Sequence, residues 1–177
     1  APKGNFPSNP QKLVNIDATD TPYTVSLSTE VVVVDGISDD ITITLPSARS
    51  RKGKEYILKR VDHQFVEDVD FTDGSVTTGT DNIAVTAHGL ADLGKVQVSN
   101  SGGALPTGLS ASTDYWIIKV DDDNFKLASS LANAIADTAV DITAAAGGGT
   151  HTVEVQLVTT TIDPAGSETI DGSSTTR

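Results

Sequence analysis

The chain has 177 residues and a formal net charge of -12, and it contains neither cysteine nor methionine. An acidic surface cannot neutralise phosphates, so the charge argues against nucleic-acid binding, and the lack of cysteine excludes disulfides, thiolate metal sites and cysteine nucleophiles. No apolar run approaches the length of a bilayer span and no charged-then-apolar leader opens the chain, so we expect a soluble protein.

The residue types favour β-structure. Threonine, valine and isoleucine together account for 53 residues, and such side chains fit the pleated, half-buried surface of a sheet better than a helix. A chain of this length holds one full domain or two small ones, each with a modest core. We therefore predict a mainly β protein.

Residues 1–12 predict an extended N-terminal arm. This segment has three prolines, a glycine and two asparagines, and it lacks an apolar period. Pro2, Phe6, Pro7 and Pro10 are candidates for anchoring the arm to a neighbouring protein. A frayed terminus is an equally good interpretation.

From residue 13 onward, apolar and polar residues alternate as in strands. Tyr23, Val25 and Leu27 share one side of a first strand, and Ile41, Ile43 and Leu45 share one side of a second. This pattern predicts half-buried antiparallel strands. The continuous apolar run at residues 31–34 predicts a strand that is buried on both faces.

The middle of the chain has strand and turn signals of its own. Predicted strands cover residues 82–86, 95–99, 115–120, 125–127 and 151–158, the last burying Val153, Val155 and Leu157. Turns are predicted at His88-Gly89 and at residues 121–124. Ser129 or Ser130 can cap a short helix over residues 131–136.

The candidates for metal binding are few. His88 and His151 lack a third ligand at a suitable spacing, so backbone-bonded histidines in a turn and a strand are the favoured interpretation. The run Asp121-Asp122-Asp123 offers hard oxygen ligands, but it lacks the alternating ligands, glycine and distal glutamate of a calcium loop. A solvated hairpin tip is favoured there. We expect no metal and no cofactor.

Two groups of residues are candidates for binding a partner or a glycan. The basic residues Arg49, Arg51, Lys52 and Lys54 lie close together in an otherwise acidic chain, and they could bind an acidic neighbour or a charged glycan. A solvated loop that balances local carboxylates is the alternative. A sugar-stacking platform could use Tyr115 and Trp116 with Tyr23 and Tyr56, although scattered aromatic residues are more often core.

The sequence contains no phosphate loop, helix-borne zinc pair, serine elbow or dinucleotide glycine motif. Carboxylate pairs of the glycosidase kind remain open, because 24 acidic residues offer many pairs that only geometry can select. We expect a protein without catalytic residues.

Two sets of segments, one in the middle of the chain and one flanking it, carry a resemblance to known proteins. Residues 80–90, 104–110, 115–118, 124–128 and 149–153 resemble a β-module of bacteriophage fibres and other phage particle proteins. The flanking segments 41–46 and 162–172 (Ile-Asp-Pro-Ala-Gly-Ser-Glu-Thr-Ile-Asp-Gly) resemble the β-domain that often ends such fibres. Both sets are therefore similar to bacteriophage virion proteins.

The resemblance implies an outer domain that is discontinuous in sequence. After the arm (1–12), an antiparallel β-sandwich or barrel-like outer domain (13–70 and 156–177) surrounds an inserted β-module with one short helix (71–155). It further implies a virion structural protein. The chain is short for a complete tail fibre and opens with an arm, which favours a capsid-attached decoration protein or head fibre. The alternative is a tail-fibre or tail-spike segment that binds a host glycan, and a depolymerase is the weakest interpretation.

One departure from the family pattern concerns the C-terminal strands. Relatives of the outer domain usually continue past Ile170-Asp171-Gly172 with further strands, whereas this sequence stops at Arg177. Either another subunit completes the sheet, because an uncovered edge recruits strands from another chain, or this chain is shorter than its relatives. We expect a homo-oligomer, with a trimer suggested by the fibre resemblance alone.

Overall fold

The computed structural model describes residues 13–26, 31–35, 38–47, 56–61, 67–145 and 147–163. It divides the chain into two units. Unit 1 comprises Ala1–Asp35, Ile41–Val61 and Thr160–Arg177, and unit 2 comprises Gly36–Asp40 and Asp62–Thr159. The predicted arm with Pro2, Phe6, Pro7 and Pro10, and the basic residues Arg49, Arg51, Lys52 and Lys54, lie outside the described residues.

Strands are numbered in chain order. Unit 1 contains β1 (Leu13–Ile16), β2 (Tyr23–Thr24), β3 (Val31–Asp35), β4 (Ile41–Thr44), β5 (Ile57–Val61) and β13 (Thr160–Asp163). Unit 2 contains β6 (Val69–Phe71), β7 (Val76–Thr77), β8 (Asn82–Ala84), β9 (Lys95–Ser101), β10 (Tyr115–Lys119), β11 (Asn124–Ala128) and β12 (Thr150–Val155), with the helix α1 (Leu131–Ile135) between β11 and β12.

Unit 1 is built from parallel strands. One sheet has the order β1-β3-β5 and the other β13-β4-β2, and each neighbouring pair in both sheets is parallel. Successive strands along the chain alternate between the two sheets, so each parallel connection passes through the other sheet. The strands thus form three successive rungs, namely β1 with β2, β3 with β4, and β5 with β13. This is the arrangement of a β-solenoid.

The prediction of antiparallel strands in the outer domain is therefore wrong. Alternating burial is present: Ile41 and Ile43 are fully buried, whereas Thr42 and Thr44 are partly exposed. Alternation reports only that one face of a strand is buried, and it does not specify the direction of the neighbouring strand. The run 31–34 also differs from the prediction, because Val32 and Val34 are buried whereas Val31 and Val33 are only half-buried.

Unit 2 is a seven-stranded antiparallel sheet of order β6-β12-β9-β10-β11-β8-β7. A large apolar cluster covers one face, with Phe125, Ile117, Ile83 and Val153 fully buried in it. The helix α1 contributes to a smaller cluster with Trp116, Ile118 and Ala128. As predicted, the Ser130 side chain caps this helix by accepting a hydrogen bond from the backbone of Asn133.

The mainly β class with one short helix is confirmed, whereas two details in and near unit 2 differ from the prediction. The predicted domain boundary at residue 70 falls inside β6, which pairs with β12, so unit 2 begins earlier in the chain. Strand β12 ends at Val155, and Leu157, predicted to be buried, is 85% exposed. The chain re-enters unit 1 through a separate strand, β13.

Candidate functional site

The predicted glycan-contact residues Tyr115 and Trp116 are buried. Tyr115 is 4% exposed and belongs to the large apolar cluster, where its hydroxyl accepts a hydrogen bond from the backbone of Ser110. Trp116 is 9% exposed and packs on the opposite face of the sheet, because successive side chains of a strand point to opposite sides. Both residues act as core, and neither offers a ring face for stacking on a sugar.

A polar cluster of unit 2 surrounds Trp116. The indole Nε1 of Trp116 donates to the carbonyl oxygen of Ser38 at 2.6 Å, and the ammonium of Lys95 lies 5.5 Å from the centre of the indole rings. Lys95 Nζ also lies 3.2 Å from Asp39 Oδ1 and 3.1 Å from Asp114 Oδ2. The segment Ser38–Asp40 is thereby tied to β9 and β10 by one buried hydrogen bond and an ion-pair network. We call Ser38, Asp39, Lys95, Asp114 and Trp116 the Trp116 cluster.

The charges of this cluster stabilise one another. Burial lowers the pKa of Lys95, but the hydrogen bonds and charges of Asp114 and Asp39 outweigh burial, so the pKa is raised overall. A hydrogen bond from Gln97, followed by the one from Lys95, lowers the pKa of Asp114. Asp40, next to the cluster in sequence, accepts hydrogen bonds from the backbone N–H and the hydroxyl of Thr159, and these hydrogen bonds lower the pKa of Asp40.

The two histidines considered as metal ligands are held separately. His88 is buried in its turn, where Nδ1 accepts from the backbone of Leu90 and Nε2 lies 3.0 Å from the carbonyl oxygen of Asp121. His151 is fully buried, and its Nε2 lies 2.9 Å from Asp73 Oδ1 rather than bonding to backbone as predicted. The His151 ring is 0% exposed and cannot contact a substrate in the observed conformation, whereas the Asp73 side chain is partly exposed.

The aspartate run uses its oxygens within the hairpin. Asp121 accepts from the Asn124 side chain and from the backbone of Asp123, and these hydrogen bonds lower its pKa. Asp122 pairs with Lys119, which lowers the pKa of Asp122. Asp123 accepts from the backbone of Ala87. The three carboxylates therefore bind protein donors and shape the turn.

Among the residues that the structure describes, no group of three or more histidine or acidic side chains is arranged to hold a metal ion. None of the helices in those same residues combines the length and apolarity required to cross a bilayer.

The two sheets of unit 1 expose different chemistry. In the β13-β4-β2 sheet, the outward positions are polar, with the side chains of Thr24, Thr42, Thr44, Thr161 and Asp163. In the β1-β3-β5 sheet, the register aligns Leu13, Val31 and Ile57 across the three strands on the outward face, and the next outward row is Asn15, Val33 and Lys59. Leu13 is 58% exposed and Ile57 is 47% exposed. We call these three residues the apolar row.

Sequence reasoning missed both the Trp116 cluster and the apolar row. Ser38 and Asp39 are distant in sequence from Lys95 and Trp116, and no local signal joins them. A signal for the apolar row did exist, because the four valines at residues 31–34 are apolar on both strand faces. That run indicated a strand whose outward face is as apolar as its inward face.

Comparisons of the chain with protein-family models, with curated proteins and with solved structures found no match in any of the three.

Proposed function

We propose that this protein is a non-enzymatic structural protein of a bacteriophage virion, attached to the capsid surface as a decoration protein or head fibre. The observation that carries the proposal is the resemblance of two sets of segments to phage virion β-domains: 80–90, 104–110, 115–118, 124–128 and 149–153 in the middle of the chain, and 41–46 and 162–172 flanking it. Its proposed partners are other virion proteins and further copies of itself, and the proposed means of attachment is the arm at residues 1–12.

Features of the described residues support a scaffold rather than a ligand site. The ionisable side chains of the Trp116 cluster and of the aspartate run are engaged with other groups of the protein. The seven-stranded sheet and the three rungs each bury an apolar interior, as suits a protein whose task is to keep a shape.

The burial of Tyr115 and Trp116 counts against the alternative, a tail-fibre or tail-spike segment with a glycan-binding aromatic platform. A glycan array probed with the purified protein tests that alternative directly. Specific binding of one glycan class, lost when the basic residues Arg49 and Arg51 are replaced by serine, would favour it over the scaffold.

The test of the main proposal uses purified particles of the phage that encodes this chain. We expect mass spectrometry to find the protein in the particles, and antibody labelling in electron micrographs to mark the head. A truncated protein lacking residues 1–12 should fold with unchanged circular dichroism and be missing from the particles. Absence of the full-length protein from particles, or labelling confined to the tail, would overturn the head assignment.

A further inference from the structure

The exposed apolar row of unit 1 is unusual within its own unit. The outward face of the neighbouring sheet carries threonines and an aspartate, which are side chains that water solvates well. The β1-β3-β5 sheet instead presents Leu13, Val31 and Ile57 in one line across its strands, with Leu13 and Ile57 about half exposed. Single exposed apolar residues need no explanation, whereas three in line form a small apolar patch, which is bordered on the same face by Asn15, Val33 and Lys59.

The charges of the chain are divided unevenly between the units. Unit 1 contains nine basic and eight acidic residues and is close to neutral. Unit 2 contains three basic and 16 acidic residues, so it carries the whole net negative charge of the protein. When two copies approach, their acidic units repel each other, but this repulsion falls off over a Debye length of about 10 Å at 0.1 M salt. Because unit 1 is close to neutral, the unit 1 of one copy does not repel the unit 1 of another electrostatically.

We propose that a second copy of this chain covers the apolar row, so that the protein self-associates through the β1-β3-β5 sheet of unit 1. An identical copy presents the same row with the same strand spacing, about 4.8 Å, so its side chains can meet these rung by rung. The near-neutral charge of unit 1 favours this occupant over a strongly charged partner.

This inference deepens the proposed function, in which further copies of the chain are already partners, and it rests on that function for this partner only. The purified chain can be tested for self-association without any particle, so failure of this inference is distinguishable from failure of the virion assignment. The inference also predicts how salt concentration changes the strength of self-association. Screening of the repulsion between acidic units should strengthen the association at high salt, whereas a contact made of ion pairs would weaken.

Sedimentation velocity of the full-length chain tests the proposal, from 1 to 100 µM and in 50 and 500 mM NaCl. We expect the wild-type protein to associate reversibly and more tightly at the higher salt. Ile57→Glu should weaken the association about tenfold or more, because it puts a charge into the contact. Thr24→Glu adds the same charge to the outward face of the other sheet and serves as the matched control, with association close to that of the wild type.

Circular dichroism and urea unfolding first establish that each variant is folded. If Ile57→Glu does not fold, Leu13→Thr takes its place, since threonine is common in strands and removes apolar surface without adding charge. A wild-type protein that stays monomeric at 100 µM in both salts would overturn the proposal. Equal weakening by the Ile57 and Thr24 variants, or weaker association at high salt, would also overturn it.

Discussion

The hydrogen bond from Trp116 to Ser38 allows a quantitative prediction for unit 2. Replacement of Trp116 by phenylalanine removes the indole N–H and leaves the carbonyl oxygen of Ser38 without this donor. Ser38 is only 6% exposed, so bulk water has little access to replace it. A buried acceptor left unsatisfied costs about 1–3 kcal/mol. The smaller ring also gives up apolar burial and packing worth about 1 kcal/mol.

We therefore expect Trp116→Phe to lower the free energy of unfolding by about 2–4 kcal/mol, a large share of the roughly 5–15 kcal/mol typical of a domain. Urea unfolding followed by far-UV circular dichroism measures the change. Fluorescence is unsuitable because Trp116 is the only tryptophan of the chain.

Tyr115→Phe is the matched control on the neighbouring position of β10. It removes a hydroxyl that accepts one hydrogen bond from the backbone of Ser110, at a typical cost of about 0.5–1.5 kcal/mol. A loss for Trp116→Phe that is no greater than the loss for Tyr115→Phe would refute the assignment of Ser38–Asp40 to the stable core of unit 2.

Further predictions concern acid, a glycine and the inserted unit. The pKa values of Asp40 and Asp114 are lower in the folded protein than the value of about 3.8 in the unfolded chain. Their contacts therefore contribute fully to stability above that pH, and this contribution is lost as the pH falls through the folded pKa values. Unfolding free energy measured from pH 6 to pH 2 should therefore decline in acid, and Asp114→Asn should decline less steeply than the wild type. Gly108→Ala should lower the free energy of unfolding by about 1–3 kcal/mol or more, because φ is +112° and the new Cβ would lie 2.3 Å from the carbonyl oxygen of Asp141. A thermal melt measures the loss, and an unchanged melting temperature would contradict this backbone geometry. Replacement of residues 62–159 by a five-residue turn should leave unit 1 with a cooperative thermal transition, and a gradual, non-cooperative melt would show that its three rungs depend on unit 2.

The local features of unit 2 were largely predictable from sequence, because they depend on neighbouring residues. The β10–β11 hairpin follows from an apolar run that ends in Asp121-Asp122-Asp123, and the cap of α1 follows from Ser130. The turn at His88 is accompanied by Gly89, whose φ of +66° suits a residue without a Cβ.

The arrangement of unit 1 was not predictable in the same way. The pattern of β4 is the same whether β2 and β13 run parallel or antiparallel to it, since one-sided burial has the same period in both cases. The Trp116 cluster joins residues 78 positions apart, and only the folded chain brings Ser38 to β10. Leu157 was assigned to a buried face because the alternation of β12 continues in sequence beyond the end of its pairing at Val155.

The rungs of unit 1 tolerate large differences in connection length. Leu13 aligns with Val31, 18 residues later, and Val31 aligns with Ile57, 26 residues later, yet the ladder keeps its register. The third rung extends this tolerance to the limit, since the whole of Asp62–Thr159 lies between its two strands. The connection between β5 and β13 can therefore hold a whole inserted unit. A different unit can be inserted there, or further rungs added, without a change in the sequences of the strands.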